Sequence, residues 1–253
     1  MISKIMKSSM FFRMFICTFL ILMSFSADHA HSCFAEVLFQ EDETSAENDI
    51  DQQADRDEQE TAEKLAGELL KTAAEEEPAV TAILQSFESD KARLTGLEHR
   101  LKSKESLARK ILSDAHDMEV SPEEAAPLIR DVLRYTLCID EDQYISIVDS
   151  VLKTLAKKHI SVVKFKNYWG GDGYKGINTN LKTEAGFVFE LQLHTPDSFE
   201  AKEEEHSNYE VARSETATEN ERRAAEALSK EIFSKVPVPG GAADYTWKIQ
   251  QGK

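Results

Sequence analysis

The sequence predicts an α+β domain, a mixed α/β sheet flanked by helices, on three observations. First, short apolar runs typical of strands alternate with segments whose apolar residues recur at helical spacing. Second, 253 residues, 41% of them hydrophobic, suffice for one well-buried domain with extensions at its ends. Third, "NYWGGDGYKGINTN" at residues 167–180 holds four glycines where one predicted strand ends and the next begins. Glycine permits close backbone approaches, so we expect something to come near this loop.

The N-terminus, residues 1–35, is predicted to be a signal peptide. Basic residues precede the apolar stretch from Met14 to Phe25, which is shorter than the ~20 residues that a membrane span needs. Cleavage is expected after Ala35, with Ala30 as the alternative point. The protein is therefore expected to be secreted or periplasmic, without stable membrane contact after cleavage. An uncleaved membrane anchor is the competing interpretation.

Residues 36–60 are predicted to be an acidic disordered linker, because acidic and amide residues dominate and little apolar surface is available to offset the entropy of ordering. Residues 61–93 carry helical patterning that Pro78 interrupts, which predicts two packing helices. Residues 236–253 form a tail punctuated by proline and glycine. The formal net charge of −16 argues against binding to DNA or to anionic membranes, since both need a positive surface.

The main domain, residues 94–235, alternates predicted strands and helices. "LEHRLKS" is a short strand candidate, and the helix after it is expected to be capped by Ser103 or Ser106. Apolar residues from Tyr144 to Leu155 recur at helical spacing and predict a second helix. The remaining predicted strands are "DVLRYTLCI", "ISVVKFKNYW", "YKGINTNLKT" and "FVFELQLHT". Cys138 lies in the first of these and is expected to be a small core residue.

The last predicted strand has one apolar and one polar face. Alternate residues point to opposite faces of a sheet, so Phe187, Phe189, Leu191 and Leu193 share the apolar face. The residues of the other face are Glu190, Gln192 and His194. Such a face either meets water or lines a site.

A second polar group lies in "RLKSKESLARK". Arg100 and Lys102 are two apart on the predicted strand, and Ser106 and Lys110 are four apart on the following helix, so each pair is expected to share a face. Backbone N–H groups at a helix start favour anions. This junction therefore suits a polyphosphate, although a solvated basic helix start would look the same.

Four motifs, in order, resemble those of the RelA/SpoT alarmone synthetase family. The spacing of Arg100, Lys102, Ser106 and Lys110 resembles its ATP-binding R-x-K-x-x-x-S-x-x-x-K pattern. "DVLRYTL" resembles the D-x-x-G-x-R strand, "KNYWGGDGYKGIN" resembles K-x-Y…G-Y-x-S-L-H, and "FELQLHT" resembles E-V-Q-I-R-T. The residues of these motifs are most similar to those of secreted ATP nucleotide 3′-pyrophosphokinases and toxin-type relatives.

The resemblance implies a nucleotidyltransferase-like fold and Mg²⁺-dependent transfer of pyrophosphate from ATP to the 3′-hydroxyl of a purine nucleotide. It implies that Asp131 and Glu190 are catalytic and bind Mg²⁺. The residues implied for ATP binding are Arg100, Lys102, Ser106 and Lys110. The residues implied for the acceptor nucleotide are Tyr174, which would stack on the base, and Lys166, Asn178, Gln192 and His194.

The sequence also departs from the family pattern. The arginine of G-x-R is displaced by two positions, since this chain has Arg134 and then Thr136. Asn178 stands where the family has histidine, and His194 stands where it has arginine. The acceptor is therefore left open between adenine and guanine nucleotides. Two other functions remain: a tRNA 3′-end pyrophosphokinase, and a catalytically inactive nucleotide-binding or assembly module.

Overall fold

The computed structural model describes the backbone of residues 30–212 and 216–248, and the side chains in these ranges from residue 53 onward. The predicted signal peptide and its cleavage point lie outside the described side chains. The chain divides into two compact units, Met1–Asp57 and Glu58–Lys253, and all residues of the site belong to the second. No helix among the described residues has both the length and the apolar character needed to span a membrane.

The described chain contains six α-helices and five strands. In chain order they are α1 (Ala30–Gln85), β1 (Ala92–Thr95), α2 (Lys104–Met118), α3 (Pro122–Ala125), β2 (Arg134–Ile139), α4 (Tyr144–Lys157), β3 (Ser161–Asn167), β4 (Ile177–Lys182), β5 (Val188–His194), α5 (Pro196–Ala212) and α6 (Glu219–Ser234). Short 3₁₀ helices lie at Leu97–His99, Ala126–Leu128 and Glu141–Gln143.

The first helix differs from the prediction. One helix runs from Ala30 to Gln85, where we expected a disordered linker and then two helices separated at Pro78. Glutamate, glutamine and alanine are strong helix formers, and side-chain hydrogen bonds between residues four apart, such as Gln53 to Asp57, add support. Proline inside a helix removes an N–H and costs about 3 kcal/mol. Burial of α1 residues on both sides of Pro78, among them Ala73 and Val80, offsets that cost.

The five strands form one mixed sheet in the order β1-β2-β5-β4-β3. β2 and β5 run parallel, and the other neighbouring pairs are antiparallel. The predicted mixed sheet is thus confirmed, as are the helices α2 and α4 and the strands β2 to β5. The apolar face of β5 is buried as predicted, with Phe189, Leu191 and Leu193 fully covered.

The predicted strand at residues 97–103 is wrong. β1 ends at Thr95, and Gly96 follows with a φ of 67°, in the left-handed region that glycine tolerates. The chain then enters the 3₁₀ helix Leu97–His99 and returns to the sheet only through a single bridge between Leu101 and Leu133. Arg100 is consequently helical, with φ −64° and ψ −32°, and does not share a strand face with Lys102.

The C-terminal tail docks on the edge strand β3. The side-chain amide of Asn167 donates to the carbonyls of Ala242 at 2.7 Å and Tyr245 at 2.9 Å. The Tyr245 ring lies 6.1 Å from the ring of Phe165, centroid to centroid. Burial, together with the nearby Asp149 carboxylate, raises the pKa of Tyr245 to about 12. The described part of the tail, to residue 248, is therefore a packed element of the domain.

Candidate active site

Polar side chains from four neighbouring strands form rows across one face of the sheet. Arg134 on β2 is level with Glu190 on β5, which is level with Asn180 on β4. The next row contains, in spatial order, Thr136, Gln192, Asn178 and Lys166. Neighbours at one register position point to the same side of a sheet, so these groups share a face. The polar face predicted from β5 alone therefore continues onto the adjacent strands.

The segment before α2 brings Lys102 to this face. The Lys102 N–H donates to the Val132 carbonyl at 3.1 Å, and the Arg134 N–H donates to the Arg100 carbonyl at 2.7 Å. These bonds hold the two segments side by side at the start of β2. The Lys102 ammonium then lies 3.2 Å from the carboxylate of Asp131, and both side chains are largely buried. Lys102, predicted to bind phosphate, and Asp131, predicted to bind metal, thus lie together just before the N-terminal end of β2.

Glu190 is the electrostatic centre of the site. Burial raises its pKa above the usual 4.5 of a glutamate, and the negative charge of Asp131 raises it further. Arg134 and Lys102 act in the opposite direction through their positive charges, as does a 3.4 Å hydrogen bond from the Gln192 amide. The net shift is upward. Such a carboxylate is a stronger base than an exposed glutamate, which suits the removal of a proton from a hydroxyl.

The two carboxylates fit a magnesium ion that is also held by substrate. Asp131 and Glu190 lie within range of each other's charge. Magnesium in phosphoryl-transfer sites typically takes one or two carboxylates and completes its shell with phosphate oxygens and water. Among the described residues no group of three or more His, Cys, Asp or Glu forms a fuller metal site. The donor set thus suits a metal that arrives with a nucleotide.

Arg100 does not join this cluster. Its guanidinium donates to the Glu77 carboxylate of α1 and to the Leu97 carbonyl, both at 2.6 Å. The hydrogen bond from Thr81 and the bond from Arg100 lower the pKa of Glu77, so this ion pair stays charged. The expectation that Arg100 lies beside Lys102 is therefore wrong, because the backbone turns at Arg100. In this structure its role in ATP binding would require release from Glu77.

Ser106 and Lys110 lie in the first turns of α2. Ser103 is the helix cap: its hydroxyl accepts from the Ser106 N–H at 3.1 Å. The Ser106 hydroxyl accepts from Arg109 at 3.3 Å, and the Lys110 ammonium lies 3.1 Å from the Asp114 carboxylate. Their contact with ATP remains a prediction.

Tyr174 is held at the centre of a cluster of rings. Its hydroxyl donates to the Asn178 side-chain oxygen at 2.9 Å and lies 2.7 Å from Nε2 of His194. Its ring meets those of Tyr168, His194 and Phe233 edge-on, at centroid distances of 5.3, 5.3 and 5.6 Å. Burial and the charge of Glu190 raise the pKa of Tyr174, so its hydroxyl stays neutral. Tyr174 is thus oriented from several sides.

His194 is fully buried and both of its ring nitrogens are occupied. Nε2 contacts the Tyr174 hydroxyl, and Nδ1 lies 2.8 Å from the Ser198 hydroxyl. Burial lowers the pKa of His194 to about 3, so the ring is neutral. In this structure His194 can affect an acceptor only through Tyr174, and the direct contact that we expected is not available to it.

The glycine-rich loop comes close to the protein's own groups. Gly176 has a φ of 151°, and a Cβ placed there would lie 3.0 Å from Cε1 of His194. The buried ammonium of Lys175 donates to the carbonyl of Gly171 and so ties the loop to itself. Trp169 is buried, and its ring N–H donates to the Tyr144 hydroxyl at 3.0 Å. At Gly173, by contrast, a Cβ would meet open space.

Arg134 is a residue of this face that was not predicted for the site. Its displacement from the family position left its role open, yet the register places it beside Glu190. A signal was available: Arg134 and Thr136 are two apart and so share a strand face. Which face that is depends on the pairing with β5, which the sequence does not specify. The predicted phosphate contact Lys166 is exposed on β3, at the outer end of its row.

Two open concavities lie away from this polar face. Cavities of about 330 and 460 Å³ share Glu141 and Asp142 in their linings, and the first also contains Asp140 and Asp197. They adjoin the C-terminal ends of β2 and β5, whereas Asp131 precedes β2 and Glu190 lies early in β5. Their carboxylates disfavour phosphate, so they do not suit a nucleotide.

Comparison with known proteins gives structural matches only. No family model matches the chain, and no curated protein is similar to it. Similar solved structures include smu.1046c of Streptococcus mutans, 20% identical, covering 66% of this chain and 87% of that one with a TM-score of 0.45. The small alarmone synthetase 1 of Bacillus subtilis is 20% identical, and the match covers 66% of this chain and 87% of that one with a TM-score of 0.44. The Type VI effector Tas1, solved with its immunity protein, is 20% identical, and the match covers 68% of this chain and 94% of that one with a TM-score of 0.41.

Proposed function

We propose that this domain transfers pyrophosphate from ATP to the 3′-hydroxyl of a purine nucleotide and releases AMP, with Mg²⁺ as cofactor. The observation that carries the proposal is the cluster of Asp131, Lys102 and Glu190, in which the glutamate has a raised pKa. Two carboxylates and a cation at one point on a polar sheet face suit phosphoryl chemistry. The ordered motifs of the alarmone synthetase family fall on these same residues.

The chemistry assigns a role to each charged group. The acceptor 3′-oxygen attacks the β-phosphorus of ATP, the bond from that phosphorus to the α,β-bridging oxygen breaks, and AMP leaves with the oxygen. The hydroxyl proton passes to the Glu190 carboxylate. Asp131 and Glu190 would hold Mg²⁺, which supplies neutralisation of the phosphate charge when bound. Lys102 contacts a phosphate oxygen, at the cost of loosening its 3.2 Å contact with Asp131.

The acceptor lies along the second row of the polar face. Gln192 connects this row to Glu190 through its amide, which makes it a bridge between acceptor and base. Tyr174 contributes an oriented ring for the nucleobase, and base stacking on an aromatic ring is worth roughly 1–3 kcal/mol. The side-chain oxygen of Asn178 accepts a hydrogen bond from the Tyr174 hydroxyl, and the exposed Lys166 extends the row toward the acceptor phosphates. His194 positions Tyr174 through the contact between its Nε2 and the Tyr174 hydroxyl.

The proposed cellular setting follows from the N-terminal sequence. A signal peptide would carry the enzyme out of the cytosol, where ATP is made. An exported pyrophosphokinase would act on nucleotides outside the producing cytosol or inside another cell, as an effector or toxin does. A membrane-anchored form is the alternative, and fractionation of cells that produce the full chain would separate the two.

The proposal is tested by incubating the protein with Mg²⁺, γ-labelled ATP and one acceptor at a time: AMP, ADP, ATP, GDP, GTP or uncharged tRNA. Glu190→Gln removes the base and keeps the size of the side chain, and Glu184→Gln is the matched control because Glu184 is exposed in the turn after β4. We expect one class of acceptor to be labelled, and the Glu190 variant to lose at least ~10²-fold in rate. Equal labelling by both variants, or no labelling by the wild type, would sink the proposal.

A further inference from the structure

Arg134 is an unused cation at the centre of the polar face. Its backbone is fixed on both sides, by the N–H that donates to the Arg100 carbonyl and by the parallel pairing with Glu190. Its charge acts on two residues of the proposed site, because it partly offsets the upward pKa shifts that burial causes at Glu190 and Tyr174. The guanidinium therefore lies near the proposed base and the proposed stacking residue.

The guanidinium has no hydrogen-bonding partner among the described residues. No described carboxylate oxygen lies within 4.0 Å of it, in contrast to Arg100, which is paired with Glu77 at 2.6 Å. Its nitrogens are not sealed from solvent either, because none of them is among the described buried side-chain atoms that lack a hydrogen-bond partner. A half-buried guanidinium with five free N–H donors is poised for an anion, and its planar fork matches phosphate oxygens.

Thr136, two residues later on the same face, does not offer a charge. It is buried, and its hydroxyl makes a long 3.5 Å hydrogen bond to the Gln192 side-chain oxygen. The position where the resembled family has its arginine thus supports Gln192 here. Arg134 is the arginine that this strand presents beside Glu190.

We infer that Arg134 and Lys102 together form an anion site that binds the phosphate chain of the donor nucleotide next to Glu190. This inference rests on the proposed function for the identity of the nucleotide, but the site itself would bind any di- or triphosphate. The two cations enter the face from different segments, Lys102 from the stretch before α2 and Arg134 from β2. A phosphate chain between them would be contacted from both sides, with the Asp131 and Glu190 carboxylates at its edge.

The test is isothermal titration calorimetry of the full chain with two probes, inorganic pyrophosphate and α,β-methylene ATP, each with Mg²⁺. The variants are Arg134→Gln, which removes the charge, and Arg134→Lys, which keeps the charge and loses the fork. Arg223→Gln on α6 is the matched control, because that arginine is exposed and forms a local ion pair with Glu219 one turn away. Circular dichroism and the unfolding temperature report whether each variant is folded. AMP release is measured in a separate assay with ATP and an acceptor, using the same protein preparations.

We expect Arg134→Gln to weaken binding of both probes by roughly 10- to 100-fold, as for the loss of a charge-assisted hydrogen bond, with Arg134→Lys in between and the control unchanged. Binding by Arg134→Gln within twofold of the wild type overturns the inference, as does a wild type that binds neither probe. If Arg134→Gln does not fold, Arg134→Lys decides: weaker binding supports the site, and wild-type affinity overturns it. Arg134-dependent binding without AMP release would leave the anion site standing and remove the proposed function.

Discussion

Glu190 shows how one side chain acquires its chemistry from its neighbours. Its position on β5 places it on the polar face of the sheet. The pairing of β2 with β5 puts Arg134 beside it, and Asp131 adds a like charge nearby. Burial then raises its pKa, so a larger fraction is protonated at mildly acidic pH than for an exposed glutamate. In the proposed transfer Glu190 must be ionised to accept the hydroxyl proton, so we expect the rate of AMP release to fall as the pH falls through this raised pKa.

We predict an acidic limb in the pH dependence of kcat/KM that lies above the usual 4.5 of a glutamate. The physical reason is that only ionised Glu190 can take the hydroxyl proton. The measurement is the initial rate of AMP release across the pH range in which circular dichroism shows the fold intact. A rate that stays flat down to the pH where ordinary glutamates titrate, about 4.3, would contradict the assignment of Glu190 as base.

A second residue-scale prediction concerns the Tyr174 hydroxyl. Tyr174→Phe leaves Nε2 of the fully buried His194 without its 2.7 Å partner, and an unsatisfied buried polar group costs about 1–3 kcal/mol. We expect a loss of stability of that size in denaturant unfolding. Tyr168→Phe is the control, because Tyr168 meets the same ring but takes no part in this hydrogen bond. Equal stability of the two variants would show that the bond contributes nothing.

The sequence could predict part of this at the residue scale. Alternation along β5 was enough to group Glu190, Gln192 and His194 on one face. It could not reveal that His194 is sealed by Tyr174 and Ser198, because burial depends on elements far away in the chain. The turn at Arg100 was missed for a local reason: Gly96 ends the strand, and a single glycine has several compatible backbone paths.

Among the elements, the glycine-rich loop packs closely against β5 where Gly176 meets the ring of His194. We predict that Gly176→Ala destabilises the protein by about 1–3 kcal/mol, because its φ of 151° is strained for a side chain and the new Cβ would press on His194. Gly173→Ala has open space around it and should stay within about 0.5 kcal/mol of the wild type. Thermal unfolding of the pair decides, and equal losses would contradict the close approach.

The tail is the other element with a testable role. Asn167→Ala removes the amide that donates to the carbonyls of Ala242 and Tyr245, so we expect a loss of about 1–3 kcal/mol and faster proteolysis of the tail. Asn220→Ala, at an exposed position of α6, is the control. A tail that resists protease equally in both variants would mean that ring packing alone holds it.

Elements with strong periodicity were predicted well, and α2, α4 and β2 to β5 are where the pattern places them. The two failures have different causes: the charge-rich composition of α1 was interpreted as disorder despite its strong helix formers, and the 3₁₀ turn at Leu97–His99 was missed because Gly96 ends β1 before it. Acidic composition favoured disorder over residues 36–60. Side-chain bonds between residues four apart favour helix in the same composition.

For the whole molecule, the distribution of charge matters more than its total. The chain carries a formal net charge of −16, yet Lys102, Arg134 and Lys166 lie on one sheet face around two carboxylates. An acidic protein with a local cationic site can admit a small polyanion while repelling nucleic acid elsewhere. The motifs group Lys102, Asp131 and Glu190 as predicted site residues, whereas the place of Arg134 beside Glu190 is given only by the strand pairing in the folded sheet.

The most direct measurement is phosphorus NMR of the reaction products with the preferred acceptor. We expect AMP and an acceptor carrying two additional phosphates on its 3′-oxygen, formed in equal amounts and absent with Glu190→Gln. Formation of ADP or free phosphate in place of AMP, or products unchanged by Glu190→Gln, would contradict pyrophosphoryl transfer at the Asp131, Lys102 and Glu190 cluster.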